Sequence, residues 1–551
     1  MPLCSWRSSF CFSLAAAALC VEFVLIQLRR KSNTRVLPPS APALALSIHP
    51  RPLVTASPPA GGGSPRDRPE MARPPLSPLE RGGYTFWSTD YHIAPIADIV
   101  DLFESLCSNE GLCMKVSDQS FSGACARTFG GRKPSCASGL RVLTQANAFD
   151  ACASGGPHAF RRKLFEAYRG PSSPLQHVDA FVCNHPPALC ELYMPFNKSL
   201  VVIASVNLEF GRENPSRWGE WLDSLQRIAA DRRNVVAANN WYDAEYITYF
   251  TGIQAEVIPS YCGYAASKAT YRPDFNRPLL FGRNHNNPSH IYSQLHHAAA
   301  SEGRASRSTR AGVSALPEVL RFVRTEDHYP SGFEYSQLAR HPAVIVVPYT
   351  KSVMTFFEMY RMNIPLFAPS LPLLVSWEQR FSVMAERIYW SSAPRPTTPF
   401  PNSTTLNPNT RKSHRAMRHW LALSDIYTFP HVILFDSAEH LVQLLRSTDL
   451  EAVSAKMAKS NRRMLRKLRS SWRRLFLRMF EGQPPGELHI LARSSGAFNQ
   501  TSTLMRPPAY VGHRLVPTNY DDAMLKLYGK VPSAAEPSCA RESRPEHGQW
   551  N

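Results

Sequence analysis

The chain has 551 residues, length for two average domains with extensions, and 44% of them are hydrophobic, which supplies cores of ordinary size. Lys and Arg number 62 against 43 Asp and Glu, a formal charge of +19 that calls for an anionic partner: nucleic acid, a sugar nucleotide, an acidic glycan or a phospholipid surface. The 12 cysteines include no Cys-x-x-Cys pair, which speaks against a zinc ribbon or a thioredoxin-type centre.

Phe10–Leu28 (FCFSLAAAALCVEFVLIQL) is a mostly apolar run of 19 residues, enough to span a bilayer although Glu22 is costly there. Arg29, Arg30, Lys31 and Arg35 follow it and a single Arg7 precedes it, so the charge pattern does not favour a type II orientation. The run reads as a signal anchor over 1–32, or as a signal peptide with its small-residue site near Ala15–Ala18. Both send the remainder into the secretory pathway, to a Golgi or endoplasmic reticulum membrane or out of the cell; a start at Met71 would remove this address. Residues 33–83, rich in Pro, Ala, Ser and Gly, read as a disordered stem.

Order is expected from Tyr84. Tyr84–Trp87 is a short strand and Ile96–Leu106 an amphipathic helix, followed by a loop-rich cysteine region and a helix over Phe160–Tyr168. Strands then alternate with helices: Val178–Cys183, Leu200–Ala204, Val235–Ala238 and Ala255–Ile258, separated by helices over Pro187–Tyr193, Trp218–Asp231 and Tyr242–Phe250. Alternation of this kind makes a parallel sheet covered on both faces, so residues 84–270 form a first Rossmann-like domain. Six cysteines, Cys107, Cys113, Cys125, Cys136, Cys152 and Cys183, crowd into it and read as structural disulfides whose pairing the sequence leaves open. Asn197, Asn402 and Asn499 head candidate glycan-acceptor triplets.

A second series, 271–481, holds the strands Leu279–Phe281, Glu318–Val323, Ala343–Val347 and Ile364–Ala368, with Val432–Phe435 as a further one. Lys456–Arg478 is a strongly basic helix with Leu465, Leu468, Trp472, Leu475 and Met479 on one face, which packs it on a domain with its basic side solvated. The tail, 482–551, loses periodicity and is partly disordered, above all over Ser533–Asn551.

Ala343–Ser370 is the most informative stretch: a strand stopping at Pro348, a turn, a helix that Ser352 can cap, a stop at Asn363, and a buried strand ended by Pro369. In a parallel α/β sheet ligands sit at the carboxyl ends of strands and helix N-termini favour phosphate, which places Pro348–Met354 at a ligand, with Glu358 one turn on. This stretch resembles the C-terminal domain of nucleotide-sugar glycosyltransferases of the GT-B fold, in which a helix carrying a Glu precedes a Pro-containing hydrophobic strand, here Asn363-Ile364-Pro365-Leu366-Phe367. The resemblance implies two Rossmann-like domains facing a central cleft. It implies that Glu358 accepts hydrogen bonds from the donor ribose. Lys351 and the backbone around Ser352–Met354 are further phosphate candidates, and Tyr349 and Ser352 join the substrate-binding set. Arg283, after the first strand of the second series, looks like the basic residue that meets the diphosphate. Many retaining members carry another Glu eight residues earlier, where this chain has Thr350, so the resemblance points to inversion. No Asp-x-Asp occurs, which favours the class that uses no metal; no cofactor is implied beyond the nucleotide-sugar donor.

Transfer of a sugar needs a base for the acceptor hydroxyl. His92-Ile-Ala-Pro95 resembles the Gly-His-hydrophobic-x-Pro segment of UDP-glycosyltransferases, in which the His is that base, except that Tyr91 stands in place of the Gly. Asp90 is an alternative base or a group that orients the imidazole, and His185, after another strand of the first domain, is a rival. Asn239, after a third strand, suits a sugar acceptor, although caps of the next helix look the same. The expectation is a membrane-anchored or secreted glycosyltransferase acting on a glycan, protein or lipid acceptor. A non-catalytic GT-B-like binder of glycan or nucleotide-sugar is the alternative, and a nucleic-acid binder ranks last, since aromatic and basic residues interleave only over Lys456–Arg478.

Overall fold

The computed structural model describes residues 83–481 and 516–528, apart from 123–124, 126–134, 138–139, 145–146, 148–155, 206–207, 210–214, 283, 285–287, 306–315, 318, 389–405 and 518. All of them belong to one compact unit, Arg73–Asn551. The apolar run Phe10–Leu28, the stem, Cys152 and Arg283 lie outside the described residues, and among the described residues no helix is long and apolar enough to cross a membrane.

Two parallel sheets organise the unit. The first holds β1 (Tyr84–Asp90), β2 (Met114–Ser120), β3 (Ser135–Cys136), β4 (Ala180–Cys183), β5 (Ser199–Ala204), β6 (Val235–Ala238) and β7 (Glu256–Val257), in the order β3-β2-β1-β4-β5-β6-β7. The second holds β8 (Leu279–Phe281), β9 (Phe322–Arg324), β10 (Val344–Ile345), β11 (Leu366–Pro369) and β12 (Ile433–Phe435), in the order β12-β11-β10-β8-β9. Every strand pair among the described residues is parallel. Both orders are doubly wound, and each reverses once: between β1 and β4 in the first sheet, between β8 and β10 in the second.

The central strands are apolar throughout because helices cover both faces; every residue of β4, β5 and β6 is buried. On the first sheet lie α1 (Ile93–Glu110), α2 (Pro157–Tyr168), α3 (Pro215–Ala230) and α4 (Trp241–Thr251). The short α5 (Gly263–Ala266) leads into the second sheet, which carries α6 (Ser289–Ala305), α7 (Met354–Arg361), α8 (Leu371–Phe381), α9 (His414–Leu421) and α10 (Ala438–Ser447). The helix α11 (Leu450–Glu481) begins on the second half, where Leu450 and Met457 join its core, and ends on the first, where Trp472 meets Phe103 with ring centroids 4.9 Å apart. It therefore straddles the two halves instead of belonging to the second alone.

Several expectations need correction. The cysteine region contains β2 and β3, whose short half-polar stretches carry little strand signal until they pair with β1. Three disulfides are described: Cys107–Cys113, Cys125–Cys136 and Cys183–Cys190. Val353, not Ser352, is the N-cap of α7, and its apolar side chain makes no cap bond; the Ser352 hydroxyl is instead hydrogen-bonded to the Asp425 carboxyl. Asn363 does take the left-handed conformation (φ 62°) just past α7, as a stop residue should. Within the tail, α12 (Tyr520–Tyr528) docks on α2, with Arg162 2.6 Å from Asp521 and Met524 fully buried.

The halves meet along polar contacts. Lys351, after β10, lies 3.4 Å from Asp243 of α4, with both side chains almost wholly buried, and its ammonium sits over the rings of Tyr242 and Tyr246. Beside it Arg361 of α7 donates to the carbonyls of Tyr261 and Ser260 and to Asn461 of α11, while Asp98 of α1 accepts the backbone N–H groups of Tyr261 and Cys262. A buried ion pair that loses one member leaves the other charge without compensation. Lys351→Met should therefore lower stability in urea unfolding by about 3–5 kcal/mol. Lys351→Met/Asp243→Leu should recover most of that loss; a double variant as unstable as the single one would show that Asp243 is not the partner that matters.

Candidate functional site

The first reversal point follows β1 and β4, and both chains turn there into histidines. Asp90-Tyr91-His92 leaves β1 and Cys183-Asn184-His185 leaves β4, tied by the Tyr91 N–H donating to the His185 carbonyl at 2.9 Å. The two imidazole rings stand edge to face with centroids 5.8 Å apart. His92 is the N-cap of α1, and its Nδ1 accepts the Ala94 N–H at 3.3 Å. The residue is exposed, and desolvation by the protein around it lowers its pKa to about 4. Desolvation and the neighbouring His92 pull His185 to about 3. Both rings are therefore neutral at pH 7, and the cap bond leaves the proton of neutral His92 on Nε2.

Asp90 does not orient either imidazole. Its carboxyl accepts the Ser120 hydroxyl at 3.0 Å and the backbone N–H of His92, and it is hydrogen-bonded to the carboxyl of Asp118. The parallel register sets Ser88 opposite Asp118 and Asp90 opposite Ser120, so all four polar groups share one face of β1 and β2. Burial, then the adjacent Asp118, raises Asp90 well above the usual carboxylate range; burial raises Asp118 as well. Two carboxyls this close retain a proton between them. Asp90 thus holds the backbone of the turn that presents His92 and is not placed as the base.

The second reversal point follows β8 and β10. Asn284 donates its side-chain amide to the Val347 carbonyl at 2.9 Å, joining the two turns; Arg283 beside it is outside the described residues. In the turn after β10, Tyr349 is half-buried and its carbonyl accepts the Glu386 N–H at 3.2 Å, while the Thr350 hydroxyl donates to the Glu386 carbonyl at 3.3 Å. In this conformation the Lys351 ammonium is turned to Asp243 and the Ser352 hydroxyl to Asp425. Burial works against the Lys351 charge, but the Asp243 and Glu209 carboxylates outweigh it and keep the ammonium charged. Ser352 is committed to Asp425, whose carboxyl burial raises well above the usual carboxylate range.

Glu358 lies on α7 with its Oε1 accepting two phenols, Tyr264 of α5 at 2.9 Å and Tyr335 at 3.0 Å. Burial raises its pKa to about 7 against the pull of both tyrosines, and the nearby Asp98 adds to the rise. Ile93 and Ala97, next to His92 on α1, pack into the core of the second half, so α1 lines the same junction as Glu358. Asn239 is buried, its Oδ1 accepting the Asn240 amide at 2.7 Å and its own amide 3.5 Å from the Ser260 hydroxyl, while Asn240 caps α4.

Sequence reasoning missed Asp118, Ser120, Tyr264, Tyr335, Asp98 and Glu386, the last half-buried with its carboxyl raised to about 7 by burial. A strand reading of MKVSDQS would have placed Asp118 and Ser120 on one face; nothing local marks the tyrosines. Among the described residues no group of three or more His, Cys, Asp and Glu side chains is placed to hold a metal ion.

Because Glu358 is raised from 4.5 to about 7, its contribution to stability is fully present below pH 4.5 and is lost as pH rises through about 7. Thermal midpoints of the protein and of Glu358→Gln, measured from pH 5 to 8.5, should thus diverge. The protein should lose stability relative to the variant as pH rises, and a constant difference would contradict the buried, tyrosine-bound carboxyl.

No family model and no curated protein matches the chain. Among solved structures it is similar to a glycotransferase of kitacinnamycin, at 13% identity and a TM-score of 0.37, over 74% of this chain and 98% of that one. It is also similar to the glycosyltransferase SnogD from Streptomyces nogalater, at 10% identity and a TM-score of 0.32, over 75% of this chain and all (100%) of the other.

Proposed function

We propose that the protein transfers a sugar from a nucleotide-sugar donor to a hydroxyl acceptor at the junction of its two sheets. The observation that carries this reading is the position of the reversal points. Ligands of doubly wound sheets bind outside the carboxyl ends of the strands where the order reverses. Here one such point presents two neutral imidazoles, and the other presents the Tyr349–Ser352 turn with Glu358 behind it. Contacts between Asp243, after β6, and Lys351, after β10, bring the carboxyl ends of the two sheets against each other.

In this reading Oε2 of Glu358 receives the ribose hydroxyls, since both tyrosine bonds fall on Oε1. Arg283 and the turn's backbone supply counter-charge to the leaving diphosphate, the Lys351 charge being balanced by Asp243. The histidine pair takes the acceptor proton. His92 acts as base by releasing the 3.3 Å bond from Ala94, whereas His185 would act without that step. Thr350 offers no carboxylate to the anomeric carbon, and transfer proceeds with inversion and without a metal. The disulfides suit passage through the secretory pathway.

Full-length protein screened with UDP-, GDP- and CMP-sugars should bind one class. Glu358→Ala should weaken that binding by about 1–3 kcal/mol. Hydroxyl donors favour the ionised carboxyl, so donor binding should also tighten from pH 6 to 8, a trend absent in Glu358→Gln. Loss of turnover by about 10²–10⁴-fold, with donor affinity kept, is expected for whichever histidine is the base. Removing it in His92→Ala and His185→Ala separately assigns the role, and its acidic limb should lie near pH 3–4, where the rings charge. Donor binding without hydrolysis or transfer would replace this reading by that of a non-catalytic sugar-nucleotide binder.

A further inference from the structure

The greatest concentration of charge on the molecule lies on α11. Between Ala452 and Phe480 this helix carries ten Lys and Arg and no Asp or Glu. Its orientation is fixed, because Leu468, Trp472, Leu475 and Met479 are buried against Phe86, Ile99 and Phe103 of the first half. Some of the cations have structural duties: Arg469 donates to Ser105, Arg474 pairs with Glu256 and Arg478 donates to the Asn234 carbonyl. Lys456, Lys459, Arg462, Arg463, Arg466 and Lys467 do not. All six are exposed, and among the described residues none is in an ion pair.

At 3.6 residues per turn these six fall on one side of the helix, opposite the buried face, over roughly 16 Å of its length, and Arg474 extends the row to about 27 Å. Holding six unneutralised cations side by side is repulsive, and a counter-charge that relieves it must be equally extended. The face has no exposed large apolar side chain to enter a bilayer; among the described residues the exposed large hydrophobics are Trp241, Val319, Phe381, Leu434 and Leu525. It offers no aromatic platform for nucleic-acid bases either.

We propose that this face of α11 is a binding site for an extended anionic polysaccharide, a chain bearing sulfates or uronic acids. Charge complementarity and the linear layout select a linear polyanion. The Cys107–Cys113, Cys125–Cys136 and Cys183–Cys190 disulfides place the fold in an oxidising compartment, where acidic glycans are the linear polyanions at hand. The site lies on the outer side of α11 and does not depend on the transfer reaction.

The test uses the full chain and heparin as probe, titrated over a range of salt. The variant replaces all six residues: Lys456→Gln, Lys459→Gln, Arg462→Gln, Arg463→Gln, Arg466→Gln and Lys467→Gln. A control removes the same charge elsewhere, by Lys115→Gln, Lys163→Gln, Lys268→Gln, Arg321→Gln, Lys412→Gln and Lys526→Gln. The helix variant should lose about tenfold or more in heparin affinity near physiological salt, with a log–log salt slope shallower by about 3–5 units, while the control changes little. Circular dichroism and the thermal midpoint confirm that both are folded. Equal losses in both variants would reduce the effect to net charge and overturn the proposal. So would tighter binding of the protein to duplex DNA or to phosphatidylserine vesicles, abolished by the same helix variant.

Discussion

The structure depends on a charge buried where its two halves meet. Lys351 has lost nearly all contact with water, and an ammonium so placed persists only with a partner at hand. Asp243 supplies it from the other half, Glu209 adds a second negative field, and the rings of Tyr242 and Tyr246 present their electron-rich faces. The pair fixes which turn of the second sheet meets which helix of the first. Arg361 repeats the device a short way off, with carbonyls of the crossing segment and Asn461 as its partners. Polar contacts of fixed geometry thus set the register of the two sheets, and apolar packing fills the space around them.

The same logic shapes the candidate site. Asp90 and Asp118 are too close and too buried for both to ionise, so the pair keeps a proton and accepts the His92 backbone N–H. This stiffens the turn that carries His92 without committing the imidazole. Glu358 is held by two phenols and by burial near neutrality, which leaves its protonation responsive to any further hydrogen-bond donor that reaches it. In both places a carboxyl's environment is set by groups from other elements, and the chemistry offered to a ligand depends on those neighbours.

The proposal itself stands on the reversal points and on what occupies them. The basic face of α11 adds a feature unrelated to that cleft: a long helix needed to tie the two halves together has one side to spare, and that side is uniformly cationic.

The strand–helix alternation from Val178 to Ile258 and from Leu279 to Phe435 was legible from sequence, because buried parallel strands must be apolar throughout and covering helices must be amphipathic. That His92 and His185 follow strand ends, and that Glu358 sits on the helix between β10 and β11, was legible for a related reason, since those elements were read from the same periodicity. What the residues at those ends touch was not legible. That Lys351 turns inward to Asp243, that Ser352 serves Asp425, and that Tyr264 and Tyr335 close on Glu358 are contacts across 23 to 108 positions of chain, with no local pattern to announce them. β2 and β3 escaped for a similar reason, since half-polar strands near a sheet edge gain their identity from the neighbour they pair with. Local sequence determined where the strongly periodic elements lie and which way each faces, because periodicity is a property of neighbouring residues. The tertiary structure alone decided which charges meet, because a buried charge is tolerable only with a partner, and that partner comes from elsewhere in the chain.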